Sequence, residues 1–341
     1  MLVQPHSDST VSSSRNCTAR HCSCAKYPFG ASVKVVSTCC RRQADPVTQE
    51  TLYAWFYLVT AMIAAAQNRN DDVGKRRAAR LLSAAGSAAS AWLNCCPTAQ
   101  KQLSDSAFTT NARFRLGYGP ASSAASPPCL CSAGEAAYPD HAMVCTHVAG
   151  DRTLRHDTYY SSWRRVLRNA GCSTSAEQPY AGLVGDARAA ARAGLHRADI
   201  TAIVNMEVYA FDAVVTHPAA ATHLAAASKT RGAAARTAAR RKRRQFQETN
   251  PGAGIKFVPL SVETFGQLDV EASKFLSSLG AKVGERGGSQ SQFMRNARSD
   301  LSCALVRGQE RVFSAGMNAI LRAGGKQFEC GHAVPVCDGA E

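Results

Sequence analysis

The sequence predicts an α/β fold, in which a small mixed β-sheet is flanked by helices and preceded by a helical, partly irregular N-terminal region. Two short segments rich in apolar and β-branched residues, 199–204 and 208–217, are separated by three residues, a spacing typical of a hairpin. A long Ala-rich helical segment follows, and residues 255–262 then form a third strand candidate. The order of strand pair, helix, strand and helix indicates an α/β sandwich.

Composition and capping residues predict the N-terminal helices. Residues 52–66 are apolar and residues 75–93 are Ala-rich after a basic start, so both favour helices, the first of them buried. A shorter helix is expected to begin after Ser104, a suitable N-cap, and to end near Leu116, where Gly117 stops it. The apolar run 52–66 is shorter than the ~20 residues that cross a bilayer, so no membrane anchor is expected.

Helices and strands alternate in the rest of the chain. A helix is expected over 157–170, and the Ala-rich segment 218–247 is expected to form one long basic helix. Helices at 270–279 and 292–322 close the chain. Changes in composition divide it into an N-terminal region of unknown role (1–100), a linker with a cysteine–histidine motif (103–150), an α/β domain (151–283) and a helical tail (284–341).

The charge balance points to a polyanionic partner. The 341 residues include 40 Lys and Arg against 25 Asp and Glu, which gives a formal net charge of +15. Nucleic acid is the first candidate partner and an acidic membrane surface the second. A generally basic protein without such a partner is the alternative. Only 19% of the residues are charged while 45% are hydrophobic, a composition that argues against wholesale disorder.

The 14 cysteines lie in loose clusters separated by long stretches, which does not fit a disulfide scaffold. Residues 1–15 are polar and Ser-rich without an apolar core, so no secretory signal is predicted. Both observations favour an intracellular, reducing compartment and one metal site.

The candidate metal site consists of Cys129, Cys131, His141 and Cys145. Three thiolates and one imidazole are a usual ligand set for structural Zn²⁺. One residue separates the first two cysteines, where two to four are usual, and His147 is an alternative ligand. Two unrelated thiols near an ordinary loop histidine remain the alternative interpretation.

Asp199 and Asp212 are the candidate catalytic acids, because they lie on adjacent predicted strands among apolar neighbours. Two carboxylates that converge at a sheet edge can bind Mg²⁺ together with phosphate oxygens. Lys242, or less favourably Lys229, lies on the basic segment that would follow this edge, where a cation stabilises charge on a reacting phosphate. Ordinary turn or edge residues are the alternative for both acids.

The Ala-rich segment is the candidate nucleic-acid interface. Residues 229–244 contain several Lys and Arg but no Asp or Glu, so their positive charge is available to phosphates. Residues 240–244 also resemble a nuclear-localisation signal, and a solvated helix face is the alternative. The candidate contacts are Lys229, Arg240, Arg241, Arg243 and Arg244.

Taken in order, several motifs resemble one protein family. Cys129–Cys131, Asp140–Cys145 and Gly150–Asp157 resemble the zinc knuckle and the following RH(N/D) motif of site-specific non-LTR retrotransposon proteins. Arg197–Ile200 and Phe211–Thr216 resemble the (R/K)PD and D-x-x-V-T motifs of the C-terminal restriction-like endonuclease in these proteins, which belongs to the PD-(D/E)XK superfamily.

The resemblance covers about residues 103–322 and implies a restriction-endonuclease-like sheet. It implies Mg²⁺-dependent nicking of double-stranded DNA by the acidic pair with Lys242, followed by priming of reverse transcription, with element RNA as a second partner. Arg155 and His156 would position DNA or brace the knuckle against the nuclease.

Two positions depart from the family pattern: Val214 stands where the superfamily's strand lysine lies, and Ala198 replaces the proline. Residues 1–100 carry no Asp-Asp polymerase signature, so a truncated protein is predicted. The alternative functions are a non-catalytic zinc-knuckle protein that binds nucleic acid and an inactive retroelement remnant.

Overall fold

The computed structural model describes residues 60–69, 71–95, 98, 101–119, 129, 131, 139–179, 197–249 and 254–324. All of them belong to one compact unit, residues 47–341. Its strands are β1 (Ser173–Pro179), β2 (Arg197–Val204), β3 (Glu207–Thr216) and β4 (Lys256–Glu263). The α-helices with bounds inside the described residues are α1 (Asp72–Ala84), α2 (Asp105–Leu116), α3 (Ala149–Asn169), α4 (Ala221–Ala227), α5 (Ala233–Thr249), α6 (Val270–Glu285) and α7 (Gln290–Gly324).

The four strands form one mixed sheet in the order β1-β2-β3-β4. The pairs β1–β2 and β2–β3 are antiparallel, and β3–β4 is parallel. The predicted hairpin is confirmed, because Asn205 and Met206 form the turn between β2 and β3 with φ of 53° and 62°. Positive φ at both central residues matches the twist of a tight hairpin. The predicted mixed sheet with flanking helices is therefore present.

Strand β1 was not predicted, and its environment explains why. Its sequence, STSAEQP, contains no large apolar residue, and none of its side chains is buried. Among the described strands it pairs with β2 alone, at the edge of their sheet. An edge strand with both faces near solvent lacks the alternation of apolar and polar residues by which strands are recognised.

The N-terminal predictions hold in part. Residues 52–59 lie outside the described residues, while residues 60–68 are helical with Ala66 as their one buried residue. The helix expected at 75–93 is wrong in its bounds, since α1 begins after Asp71, whose carboxylate accepts a hydrogen bond from the Gly74 amide at 2.7 Å. It ends before Gly86, where a Cβ would lie 2.6 Å from Gln267 Oε1.

The helix α2 is confirmed with its predicted caps. Ser104 Oγ accepts a hydrogen bond from the Ala107 amide at 3.1 Å. Gly117 ends the helix in the left-handed conformation, with φ of 89°, which costs little without a side chain.

The helix α3 covers one face of the sheet and supplies much of the core. It begins at Ala149, eight residues before the predicted start, so the whole 150–157 motif is helical. Tyr159, Trp163 and Leu167 are fully buried against strand residues such as Ile200. This packing fixes which face of α3 points at the sheet.

The single long basic helix is a wrong prediction. The segment divides into α4 and α5, and Gly232, with φ of 72°, lies in the turn between them. Lys229 and Arg231 therefore belong to this turn rather than to a helix. A left-handed residue cannot continue a right-handed helix, which explains the break.

The last two helices complete the unit. The helix α7 packs along α3 so closely that a Cβ at Gly308 would lie 2.6 Å from the Arg155 side chain. The predicted domain boundaries at 150 and 283 fall inside α3 and α6. No helix in the described part of the chain has the length and apolarity needed to span a membrane.

Candidate functional site

The hairpin brings the two predicted acids together. The register that pairs Ile200 with Phe211 places Asp199 across from Asp212 when it is continued by one residue. Asp199 helps to raise the pKa of Asp212, through its negative charge and through a hydrogen bond between the two carboxyl groups. The short turn at 205–206 is what sets this register.

Asp199 is fixed by two donors at the same oxygen. Its Oδ2 accepts hydrogen bonds from the Ala213 amide at 2.7 Å and from His156 Nε2 at 3.1 Å. Burial raises the pKa of Asp199, but these donors and the imidazole charge outweigh it, so the pKa lies below its usual range.

Asp212 is paired with Lys242 on α5. The Lys242 ammonium donates to Asp212 Oδ2 at 2.8 Å, and Asp212 is 9% exposed. Burial raises the pKa of Asp212 to about 6, with Asp199 adding to the effect and Lys242 opposing it. The structure thus brings all three predicted catalytic residues into one contact network.

His156 extends this network from α3. Its Nε2 lies 3.0 Å from the Ala213 carbonyl oxygen as well as near Asp199, and its Nδ1 lies 3.1 Å from Asp157 Oδ1. Burial opposes the charge of the imidazole, yet hydrogen bonds to Asp199 and Asp157 raise its pKa to about 9. His156 is therefore a cation held against Asp199.

The predicted cysteine–histidine motif also assembles. The ligand atoms of Cys129, Cys131, His141 and Cys145 all lie within 4.8 Å of one another. The Cys129 and Cys145 sulfurs are 3.4 Å apart, and Cys131 Sγ is 3.1 Å from His141 Nε2. His147, the alternative ligand, is exposed and outside this group. The four side chains can hold a metal ion, and their chemistry suits structural zinc.

Two short 3-10 turns, His141–Met143 and Thr146–Val148, lie on either side of Cys145. Met143 and Val148 point into a core cluster that also includes Phe114 and Phe313. The group we call the Cys–His cluster (Cys129, Cys131, His141, Cys145) is therefore fixed to α2 and α7 by apolar packing.

A buried polar network links this cluster to the sheet. Arg80 Nη2 donates to both carboxylate oxygens of Asp140, at 2.9 and 2.7 Å. His217, just after β3, lies 3.3 Å from Asp140 and forms a 2.8 Å hydrogen bond with the Thr264 hydroxyl. Although burial raises the pKa of Asp140, His217 and Arg80 hold it well below its usual range.

No sequence pattern indicates this network, because its members are far apart along the chain. Arg80 and Asp140 are separated by 60 residues, and His217 and Thr264 by 47. No local spacing rule connects such residues.

The protein-family models include none that matches this chain, and no curated protein matches it significantly. The geometry of the two sites carries the functional argument.

The structure corrects the predicted role of Arg155 as a DNA contact. It is 3% exposed, and its guanidinium donates to the Met143 sulfur at 3.2 Å. A buried side chain cannot reach a phosphate in solution, so the DNA-positioning role is wrong for this residue. Its contact with Met143 lies beside the Cys–His cluster, and the alternative role of bracing the knuckle stays a prediction.

The predicted basic residues differ in their availability. Arg240, Arg241 and Arg244 are exposed on α5, and Lys229 is exposed in the turn before it. Arg243 instead pairs with Glu271 on α6. Four of the five predicted contacts are therefore exposed to solvent.

Proposed function

We propose that the protein is a DNA endonuclease that uses Mg²⁺ at Asp199 and Asp212 to nick double-stranded DNA, with the Cys–His cluster as a structural zinc site. The contact network of Asp199, Asp212 and Lys242 carries the proposal. A small mixed sheet flanked by helices is the architecture that the resemblance to restriction-like endonucleases implies. The nick would supply the 3′ end for reverse transcription in a nuclear retroelement protein, with element RNA as a second ligand.

The chemistry of the two carboxylates fits a hard divalent cation. Burial, with Asp199 alongside, raises the pKa of Asp212 to about 6, so a second positive charge beside Lys242 would favour the ionised form of Asp212. Bound there, Mg²⁺ would polarise the phosphate and lower the pKa of an attacking water. The oxygens of Asp199 and Asp212 would hold it.

The protein's own groups have separate tasks in this mechanism. His156 and the Ala213 amide orient the Asp199 carboxylate. The Lys242 ammonium, which lies 2.8 Å from Asp212, would stabilise the negative charge that develops on the phosphate in the transition state. The exposed arginines of α5 would bind the DNA backbone without reading its sequence.

The donor set of the Cys–His cluster fits zinc for a different reason. Burial and the neighbouring thiols raise the pKa of Cys129 to about 11. A bound Zn²⁺ favours the thiolate form, and three sulfurs with one imidazole nitrogen complete its usual coordination.

The test is nicking of supercoiled plasmid with Mg²⁺ by the purified full chain. Asp212→Ala is expected to abolish nicking and to leave DNA affinity unchanged. Glu207→Gln, which alters an exposed acid on the same strand, is the matched control and should nick normally. Nicking that survives Asp212→Ala contradicts the proposed function.

The second candidate is a non-catalytic nucleic-acid-binding protein. Val214 favours it, because this residue occupies the strand position at which the superfamily has its lysine. This candidate predicts salt-sensitive DNA binding with no cleavage by any divalent metal. An inactive remnant, by contrast, predicts no stoichiometric zinc.

A further inference from the structure

A pair of thiols outside both sites meets at the surface of α7. Cys95 Sγ lies 3.6 Å from Cys303 Sγ, although the two residues are 208 positions apart. Cys303 is fully buried in the helix, whereas Cys95 is half-buried. A small oxidant can therefore reach one sulfur, and that sulfur already touches the other.

The segment that carries Cys95 is anchored next to Cys303. The Trp92 amide donates to Ser302 Oγ at 3.2 Å, and the Trp92 side chain packs with Cys303 in one apolar cluster. The Cys95 thiol donates to the Trp92 carbonyl at 3.5 Å. Because these contacts flank the sulfurs, the thiol pair is held by its surroundings.

This pair differs from the Cys–His cluster in its donor count. Among the described residues, no third histidine, cysteine or acid joins Cys95 and Cys303 in a group that could hold a metal ion. Two adjacent sulfurs without further ligands have disulfide formation as their available chemistry.

We propose that Cys95 and Cys303 are a modification site, at which a hydroperoxide produces an intramolecular disulfide. The Cys95 sulfur attacks hydrogen peroxide, the O–O bond breaks, and Cys95 becomes a sulfenic acid as one water leaves. The Cys303 sulfur then attacks Cys95, the S–S bond forms, and the hydroxyl leaves as a second water with the Cys303 proton. The two sulfurs lose two electrons, which reduce the peroxide.

The different burial of the two thiols sets this order. Burial, together with the neighbouring Cys95, raises the pKa of Cys303 to about 12, which keeps this thiol protonated. The thiolate is the reactive form, so the more exposed Cys95 reacts first and Cys303 resolves the intermediate. The product would join the segment after α1 covalently to the middle of α7.

Peptide mapping of the full chain tests the proposal. Protein treated with hydrogen peroxide is alkylated with N-ethylmaleimide and digested with trypsin without reduction. Cys95 lies in the tryptic peptide 81–101 and Cys303 in 299–307. The expected product is these two peptides joined, with a mass lower by two hydrogen atoms, and it separates on reduction.

Cys96 lies in the same tryptic peptide as Cys95, so it provides the matched control. The joined peptides should persist in Cys96→Ser and disappear in Cys95→Ser. In Cys303→Ala they should also disappear, and dimedone should then label Cys95 as its sulfenic acid. Absence of the joined peptides from oxidised wild-type protein, or their persistence in Cys95→Ser, overturns the proposal even if Cys303→Ala fails to fold.

Discussion

The carboxylate pair and the Cys–His cluster both concentrate metal-binding atoms, but they differ in how the chain balances their charge. Asp199 and Asp212 each have a cationic side chain within 3.1 Å, His156 and Lys242 respectively. In the Cys–His cluster, the close contacts join thiols to each other and to an imidazole, and burial with these thiols raises the pKa of Cys129 to about 11.

This difference predicts that the two sites depend on metal in different ways: the Cys–His cluster for its structure, and the carboxylate pair for its chemistry alone. The carboxylate pair is already arranged by the protein's own cations, so we expect it to keep its geometry without a divalent ion. The raised pKa of Cys129 disfavours its thiolate without a bound cation, so we expect the Cys–His cluster to lose its order when no metal is bound.

Metal removal is expected to give the largest difference between the Cys–His cluster and the carboxylate pair. In zinc modules the metal contributes about 10–16 kcal/mol of apparent binding free energy, which is folding free energy. Chelation should therefore remove hydrogen-exchange protection from His141–Met143 and Thr146–Val148 and leave β2 and β3 protected. Unchanged protection in the two turns, or an equal loss in the strands, would contradict the comparison.

Arg80→Met tests the network that joins the Cys–His cluster to the sheet. This substitution leaves Asp140 buried without its closest cation, and breaking a buried pair costs about 3–5 kcal/mol. Denaturant unfolding should report this loss. Arg76→Met is the control, because Arg76 is more exposed and lies 3.6 Å from Asp140, and its loss should stay below about 1 kcal/mol. Equal losses in the free energy of unfolding for the two variants would show that Arg80 stabilises the fold no more than Arg76 does.

Lys242→Met tests whether the Lys242 ammonium stabilises transition-state charge beside the carboxylate pair. Removing a group that stabilises transition-state charge lowers the rate by about 100- to 1,000-fold, so single-turnover nicking should slow by that factor. Arg244→Met removes a charge from the exposed side of the same helix, so it should weaken DNA binding but leave the nicking rate of fully bound DNA nearly unchanged. A similar effect of both substitutions would assign Lys242 to general DNA attraction.

His156→Phe is expected to have a smaller effect than Lys242→Met, since His156 acts through Asp199. Loss of a residue that orients a metal ligand typically costs about 10- to 100-fold in activity. His156→Gln keeps an N–H donor and should restore part of the rate, while the DNA affinity of both variants stays that of the wild type. A drop in DNA affinity with an unchanged rate would instead assign His156 to DNA binding.

The smallest effect concerns the exposed arginines. Arg240→Gln should lower the slope of log K against log salt by about 0.9, as expected for one lost phosphate contact on duplex DNA. Lys256→Gln is the comparison, because Lys256 is paired with Glu207 at 2.7 Å. An unchanged slope in Arg240→Gln would remove α5 from the DNA interface.

Local signals predicted the parts of the molecule that depend on neighbouring residues. The hairpin, the Ser104 cap and the four ligands of the Cys–His cluster all follow from spacing and residue type, and the structure contains each of them. The meeting of Asp199 with Asp212 follows from the same hairpin.

The sequence did not predict features that depend on burial or on contacts between residues far apart in the chain. Arginine is usually found at the protein surface, yet Arg155 is enclosed by α7 and Met143. The break at Gly232 interrupts an Ala-rich segment that favours helix throughout, and the contact of Cys95 with Cys303 spans 208 positions. No pattern confined to adjacent residues records such packing.

Anomalous diffraction from crystals grown with zinc and soaked in Mn²⁺, a stand-in for Mg²⁺, tests the two-site account most directly. We expect a zinc peak at the Cys–His cluster and a manganese peak about 2.1 Å from carboxylate oxygens of both Asp199 and Asp212. A manganese peak elsewhere, or none at the carboxylate pair while zinc occupies the Cys–His cluster, would contradict it.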